Sequence, residues 1–211
     1  VSKPLVSVIT PTWGQRHEKL VNRCIPSVQA QAYPKVEHVI VSDGPDYKLS
    51  SLMLELMSGS AFTHRTEFSS LKEHDPEPHW GHHARLRGIE MSAGEYIAYC
   101  DDDDALRPDH VRLLAGVLSD DPSVGWAYSV MASHSRSGEW FHVGAGAGAP
   151  MGGQIGTPMI MHRRSVLEHG TWGPASATED WELVQRWLAA GVTYGRVHEV
   201  TVDVWPSSYW S

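Results

Sequence analysis

Cysteine is scarce in this chain, with only Cys24 and Cys100 in 211 residues. Two cysteines make neither a disulfide framework nor a four-ligand zinc site, and a reducing cytoplasm is the default compartment. No apolar run approaches the roughly 20 residues that cross a membrane. The first residues, Val1-Ser2-Lys3-Pro4, lack both Met and an apolar signal region, so a trimmed or processed start is expected. Positive charge is short as well: 17 Lys and Arg stand against 25 Asp and Glu, a net charge of −8. The basic residues are scattered, with only Arg85/Arg87 and Arg163/Arg164 close together, which argues against a nucleic-acid surface. Internal repeats and low-complexity linkers are missing too. At 41% hydrophobic and 20% charged residues, the chain reads as one globular domain over 1–211.

What the chain does have is an acidic run, Asp101-Asp102-Asp103-Asp104, directly after the apolar stretch Tyr96-Ile97-Ala98-Tyr99. Four adjacent carboxylates repel one another unless something positive neutralises them. The stretch reads as a buried strand, and open α/β sheets hold their ligands at the carboxyl ends of strands. Oxygen-only ligands there suit Mg²⁺ or Mn²⁺, with substrate phosphates completing the shell. A solvated acidic loop is the competing reading, but such a loop seldom sits between an apolar strand and a helix opened by Pro108. An EF-hand is excluded, because its turn glycine would fall on Leu106 and its bidentate glutamate on Arg112.

Hydrophobic period and turn residues give a coarse element order. A strand over Val6–Thr10 is expected to stop at Pro11, followed by a helix over Lys19–Gln31 and a strand over Val36–Val41 closed by Ser42-Asp43-Gly44-Pro45. A helix over Leu49–Met57, a strand over Ala61–Thr66 and a loop over Lys72–Trp80 come next. The spacing then predicts a helix over His82–Ser92 ended by Gly94, and another over Pro108–Leu118. Strands are expected over Val124–Val130 and Trp140–Val143, flanking a Ser/Arg/Gly turn. A mobile Gly144–Gly156 loop, a strand over Met159–Met161 and a short helix over Arg164–His169 follow. The chain closes with a helix over Glu179–Ala190 and a strand over Val200–Val204. Alternating strands and helices imply an α/β fold, with a mostly parallel central sheet flanked by helices. Thr12, Asp43 and Asp101–Asp104 then converge on one crevice.

A second carboxylate site opens the last helix at Thr178-Glu179-Asp180-Trp181. On a helical wheel Asp180 lies among Leu183, Val184, Trp187 and Leu188, the inward stripe. Two readings stay open: a capping carboxylate that satisfies free backbone N–H groups, or a general base beside an incoming hydroxyl.

Taken in order, these motifs resemble the family 2 glycosyltransferases of the GT-A fold, over nearly the whole chain. The residues that carry the resemblance are Val6–Thr12, Ile25–Tyr33, Val39–Gly44, the unit from Ala84–Ile89 through Ala93–Asp104, and Thr178–Trp181. The resemblance implies a single GT-A domain, Rossmann-like, with a nucleotide-sugar-binding half over about 1–104. A short acceptor-side and catalytic half would cover about 105–211. It implies a metal-dependent inverting enzyme that moves a sugar from a nucleotide-diphosphate sugar, in this family most often a UDP-sugar, to an acceptor hydroxyl. Asp43 would accept from the base, with Pro11 and Thr12 nearby, and Arg85 would lie near the diphosphate. Asp101 would meet the ribose, Asp102 would join it in binding the nucleotide sugar, Asp103 with Asp101 would hold the Mn²⁺ or Mg²⁺, and Asp104 would support them. Asp180 would be the base, with Glu179 beside it. The sequence departs from the family pattern at Trp13-Gly14-Gln15, at Ser42, and after Val204, where a shortened or replaced diphosphate lid is expected.

Other features are ambiguous. His79, His82 and His83 match no zinc spacing and could line the donor pocket. Trp172, Trp181, Trp187, Trp205 and Trp210 are either core packing or a sugar-stacking platform. A sugar nucleotidyltransferase would carry a Gly-rich basic loop after strand one, of which Pro11–Arg16 is a poor version. A non-catalytic nucleotide- or glycan-binding module of the same fold is the remaining alternative. The acceptor (glycan, lipid-linked sugar or small molecule) and the oligomeric state are not written in the sequence.

Overall fold

A computed structural model of the protein describes residues 3–13, 16–43, 48–49, 51–52, 81–146, 148–173, 176 and 178–206, and the backbone of 63–69. Most of the expected Leu49–Met57 helix and all of the Lys72–Trp80 loop lie outside these residues, as do His79 and Trp210.

The first half is a parallel sheet. Strands β1 (Val6–Thr12), β2 (Val36–Asp43) and β3 (Thr63–Ser69) pair in parallel, and β4 (Tyr96–Tyr99) joins the other side of β1. Every residue of β1 and β4 is buried, as expected for strands covered on both faces. Contrary to expectation, β1 runs through Pro11. The Ile9 carbonyl accepts from Cys100 on the β4 side, so Pro11, two residues on, turns its missing N–H to that same side. Pairing with β4 ends at Ile9–Tyr99, and no ladder bond is lost there.

Between β1 and β2, α1 (His17–Lys19) passes through a π-helical turn (Leu20–Cys24) into α2 (Ile25–Gln29). The Ile25 N–H reaches back five residues to Leu20. This widened turn ends directly before Pro26, which has no N–H to offer a regular α-helix. Helix α3 (His82–Met91) precedes β4. Gly94 does not cap α3, which stops at Met91. A Cβ on Gly94 would lie 2.6 Å from the Ser7 nitrogen and 2.7 Å from the Tyr96 carbonyl oxygen, so glycine serves close backbone approach.

The second half is mixed. A short β5 (Ala105–Leu106), α4 (His110–Asp120), β6 (Val124–His134), β7 (Trp140–Val143), β8 (Ile160–Arg163), α5 (Glu179–Ala189) and β9 (Thr193–Val204) complete the order. Arg164–His169, expected as a helix, is a 3-10 turn. The sheet runs β3-β2-β1-β4-β8-β6-β9-β5, with β7 added to the far part of β6. Strand β8 is antiparallel to β4 and β6, while β9 runs parallel to β6. Strands β6 and β9 are longer than expected because they pair along most of their lengths, a partner the local pattern does not show.

Apolar side chains fill both faces of this sheet. Leu20, Ile25 and Val28 of α1–α2 and Leu114 and Leu118 of α4 pack with Val6, Val8 and Ala98. Ala84 of α3 and Leu183, Val184 and Trp187 of α5 pack with Ile9, Ile97, Tyr99 and Trp126 on the other face. No helix among the described residues is long and apolar enough to cross a membrane.

Buried histidines tie stability to pH. His162 donates from Nδ1 to the Arg163 carbonyl at 2.8 Å, so Nε2 accepts from the Tyr99 hydroxyl at 2.9 Å. Burial pushes its pKa down to about 4, and that of His110 down to about 3. A lowered folded-state pKa gives stability that is full above the ordinary histidine value of about 6.5 and is lost as pH falls towards 4, on the order of 3 kcal/mol for His162. Against wild type, His162→Gln is therefore expected to show a shallower loss of Tm between pH 6.5 and 4. An unchanged slope would contradict the assignment.

Candidate active site

The parallel half places the site. Strand order reverses at β1, with β2 on one side and β4 on the other, and their carboxyl ends open a crevice there. A cavity of about 520 Å³ occupies it. Pro11, Thr12, Asp43, Arg85, Asp101–Asp104, Glu179 and Asp180 all line this cavity, so the expected site residues are brought together.

Arg85 joins its two acidic parts. Its guanidinium donates from Nη2 to Asp101 Oδ1 at 2.7 Å and from Nη1 to Glu179 Oε1. The residue is only 4% exposed and lies 4.8 Å over the Trp172 ring. Burial works against its charge, yet Asp101 and Glu179 outweigh it and hold the pKa above the ordinary value. Glu179 is buried with it. Asp180 is half-buried and lines the cavity, with Oδ1 accepting the Trp181 N–H at 2.6 Å. A capping contact and exposure to the cavity therefore coexist at Asp180. Burial raises its pKa and nearby Asp101 adds to this, while the Trp181 N–H and Arg85 oppose it.

Three basic residues absent from the expected site hold the acidic run from below. Arg16 Nη1 lies 2.9 Å from Asp102 and 3.1 Å from Asp103, and Lys19 Nζ lies 3.5 Å from Asp103. Arg23 donates to the Asp103 carbonyl. Their spacing of three and four residues puts them on one helix face, a pattern legible in the sequence. Thr12 donates to Asp102 at 2.8 Å. Burial still pushes the Asp102 carboxyl up to about 6 against the pull of Arg16, and holds Asp104 well above the ordinary carboxylate range with the help of Asp101 and Asp103. Asp101 is the open member, its side chain 28% exposed.

The remaining wall comes largely from β6, β7, the end of β9 and the segment 156–158, which the sequence motifs do not point to. Ser133, Ser135, Arg136 and Phe141 belong to the β6–β7 hairpin. Trp205 stacks on His134 with 4.7 Å between centroids, and the Arg23 guanidinium lies 3.8 Å over its ring. Trp172 and Trp187 are core residues, so neither serves as a sugar platform. His82 and His83 touch each other at the start of α3, and His82 is buried.

A divalent cation fits the donor chemistry of this cavity. Seven lining carboxylates (Asp43, Asp101–Asp104, Glu179, Asp180) face three lining arginines (Arg16, Arg85, Arg136), and all the acidic ligands offer hard oxygen. Among the described residues no three His, Cys, Asp or Glu side chains form a set able to hold an ion by themselves. Substrate oxygens would have to complete the shell.

The family model for glycosyl transferase family 2 matches residues 7–177. The chain belongs to that family. No curated protein matches the sequence. Among solved structures, S. aureus TarS residues 1–349 in complex with UDP-GlcNAc is similar at a TM-score of 0.71 and 14% identity, over 97% of this chain and 59% of that one. The mannosyltransferase PcManGT of Pyrobaculum calidifontis, in complex with GDP-Man and Mn²⁺, is similar at a TM-score of 0.70 and 17% identity, over 96% and 57%. This family 2 chain thus shares the GT-A fold of these glycosyltransferases and spans less than two thirds of each.

The Arg85 bridge has a measurable consequence for the family 2 domain. Arg85→Met is expected to cost about 3–5 kcal/mol of unfolding free energy, because it leaves Glu179 buried without its cation. Adding Glu179→Gln should recover more than half of that loss in urea denaturation. A cost under about 1 kcal/mol for Arg85→Met would mean the bridge holds nothing.

Proposed function

We propose that the chain is the catalytic domain of an inverting, metal-dependent glycosyltransferase that uses a nucleoside-diphosphate sugar. The observation that carries this reading is the convergence of the acidic run, Asp43 and Asp180 on one cavity of a family 2 chain. Residues 1–104 supply the donor side in this reading, and residues 105–211 the acceptor side. Asp43 accepts from the base, Pro11 and Thr12 form the adjoining wall, and Asp101 meets the ribose.

Asp101 and Asp103 would hold Mn²⁺ or Mg²⁺ together with the donor diphosphate. When bound, the cation offsets negative charge building on the departing nucleoside diphosphate. Asp180 orients the acceptor hydroxyl and takes its proton as the oxygen bonds to the anomeric carbon. The bond from that carbon to the diphosphate oxygen breaks on the opposite face. A carboxylate whose pKa burial raises holds a proton more readily than an ordinary aspartate, which suits this task. Buried pairing supports a positioning role for Glu179 and Arg85, which keep the helix bearing Asp180 at a set distance from Asp101. Similarity to structures with UDP-GlcNAc and with GDP-Man supports uracil or guanine as the base.

Calorimetric titration with UDP, GDP, CDP and dTDP, with and without Mn²⁺, tests the donor side. One nucleotide is expected to bind in a Mn²⁺-dependent way, at least about tenfold more weakly in Asp103→Ala. Failure of all four to bind would sink the transferase reading. For the base, Asp180→Asn should lower turnover by about 10²- to 10⁴-fold with nucleotide affinity kept. Turnover that survives this change would remove Asp180 from the chemistry.

A further inference from the structure

The β6–β7 hairpin carries features that neither core packing nor donor binding uses. Its turn is a tight one: the Gly138 N–H donates to the Ser135 carbonyl and the Ser135 N–H to the Glu139 carbonyl, with Gly138 at φ +84°. Such geometry fixes the two strands and the direction of their side chains. Phe141 pairs with Ser133 in register, and both line the active-site cavity, yet Phe141 is 56% exposed. The ring thus stands open on the cavity wall, where a ligand in the cavity can reach it. Arg136, in the turn, also lines the cavity and makes no hydrogen bond or ion pair among the described residues. Its neighbours Ser135 and Ser137 are bonded to each other, and Ser137 to Glu139. The other two lining arginines, by contrast, are engaged with the acidic run.

We propose that this hairpin is the acceptor subsite, with Phe141 stacking on a saccharide ring and Arg136 pairing with an anionic group carried by that saccharide. The inference rests on the transferase reading above. An aromatic face suits the apolar face of a sugar ring, and a guanidinium suits a carboxylate or a phosphate in bidentate fashion. The charge pattern also gives direction. Carboxylates outnumber arginines seven to three around the cavity, so its acidic part disfavours an anion that brings no cation, while Arg136 attracts one at the hairpin. An anionic acceptor is therefore held with its charge at the turn and an uncharged hydroxyl towards the acidic part. A neutral acceptor would gain only hydrogen bonds to its hydroxyls from Arg136, without the stronger charge-assisted pair.

The test uses the fluorescently labelled chain, with Mn²⁺ and the nucleotide that binds it best, on an array of neutral, uronic-acid-bearing and phosphorylated oligosaccharides. Capture is expected on anionic glycans only, and the carboxylate and phosphate arms tell which group is read. Arg136→Ala should weaken capture by roughly ten- to a hundredfold, with Arg136→Lys intermediate, and Phe141→Ala by about tenfold. Both side chains are exposed, and nucleotide titration on the same samples reports whether each variant is folded and donor-competent. Equal capture of neutral glycans, capture indifferent to both variants, or no capture by a chain that binds nucleotide would each overturn the subsite. Loss of nucleotide binding in the parent chain would instead strike the transferase reading, and this inference with it.

Discussion

A buried guanidinium holds the two acidic parts of this site together. Arg85 comes from α3, Asp101 from the end of β4 and Glu179 from the first turn of α5, the two carboxylates lying 16 and 94 residues away along the chain. Two carboxylates and the face of Trp172 stand in for water that a charge this deep has lost. The same contacts keep the N-terminus of α5 beside the acidic run. The distance between Asp101 and Asp180, on which the proposed chemistry depends, is thus set by Arg85, which pairs with Asp101 itself and with Glu179, the residue before Asp180.

Around that bridge the cavity is electrostatically unbalanced. Arg16, Lys19 and Arg23 on one face of the first helix reach Asp102 and Asp103, and Thr12 adds a hydrogen bond. Even so, burial drives Asp102 and Asp104 towards their neutral forms. Self-repulsion of this kind is costly to a resting protein and useful to one that receives a cation with a diphosphate. Sites that break the rules of stable packing are where function concentrates. The hairpin shows the converse: an exposed ring and an unengaged arginine whose value lies in what they meet.

Much of this arrangement is legible in the residues themselves. Local chemistry locates the acidic run, the Asp43 turn and the Glu179-Asp180 pair, because each joins a recognisable period to a recognisable turn. Local pattern misleads where a distant partner decides. Pro11 has the local character of a strand stop, but the open side that accommodates its missing N–H depends on where β4 ends. Gly94 has the local character of a helix cap, whereas the backbone of Ser7 and Tyr96 is what requires glycine there. Strands β6 and β9 outrun their local pattern because each is extended by the other.

By itself, the sequence determined the alternation of strands and helices, the parallel character of the first half, and the residues at the carboxyl ends of its strands. These follow from periodicity and turn chemistry, which act over a few neighbouring residues. Only the tertiary structure decided that Arg85 faces Glu179 as well as Asp101, that Arg16 and Lys19 hold Asp103, and that the β6–β7 hairpin completes the cavity. Those are contacts between segments far apart in the chain, and burial together with charge neutralisation selects them only once the sheet has brought the segments side by side.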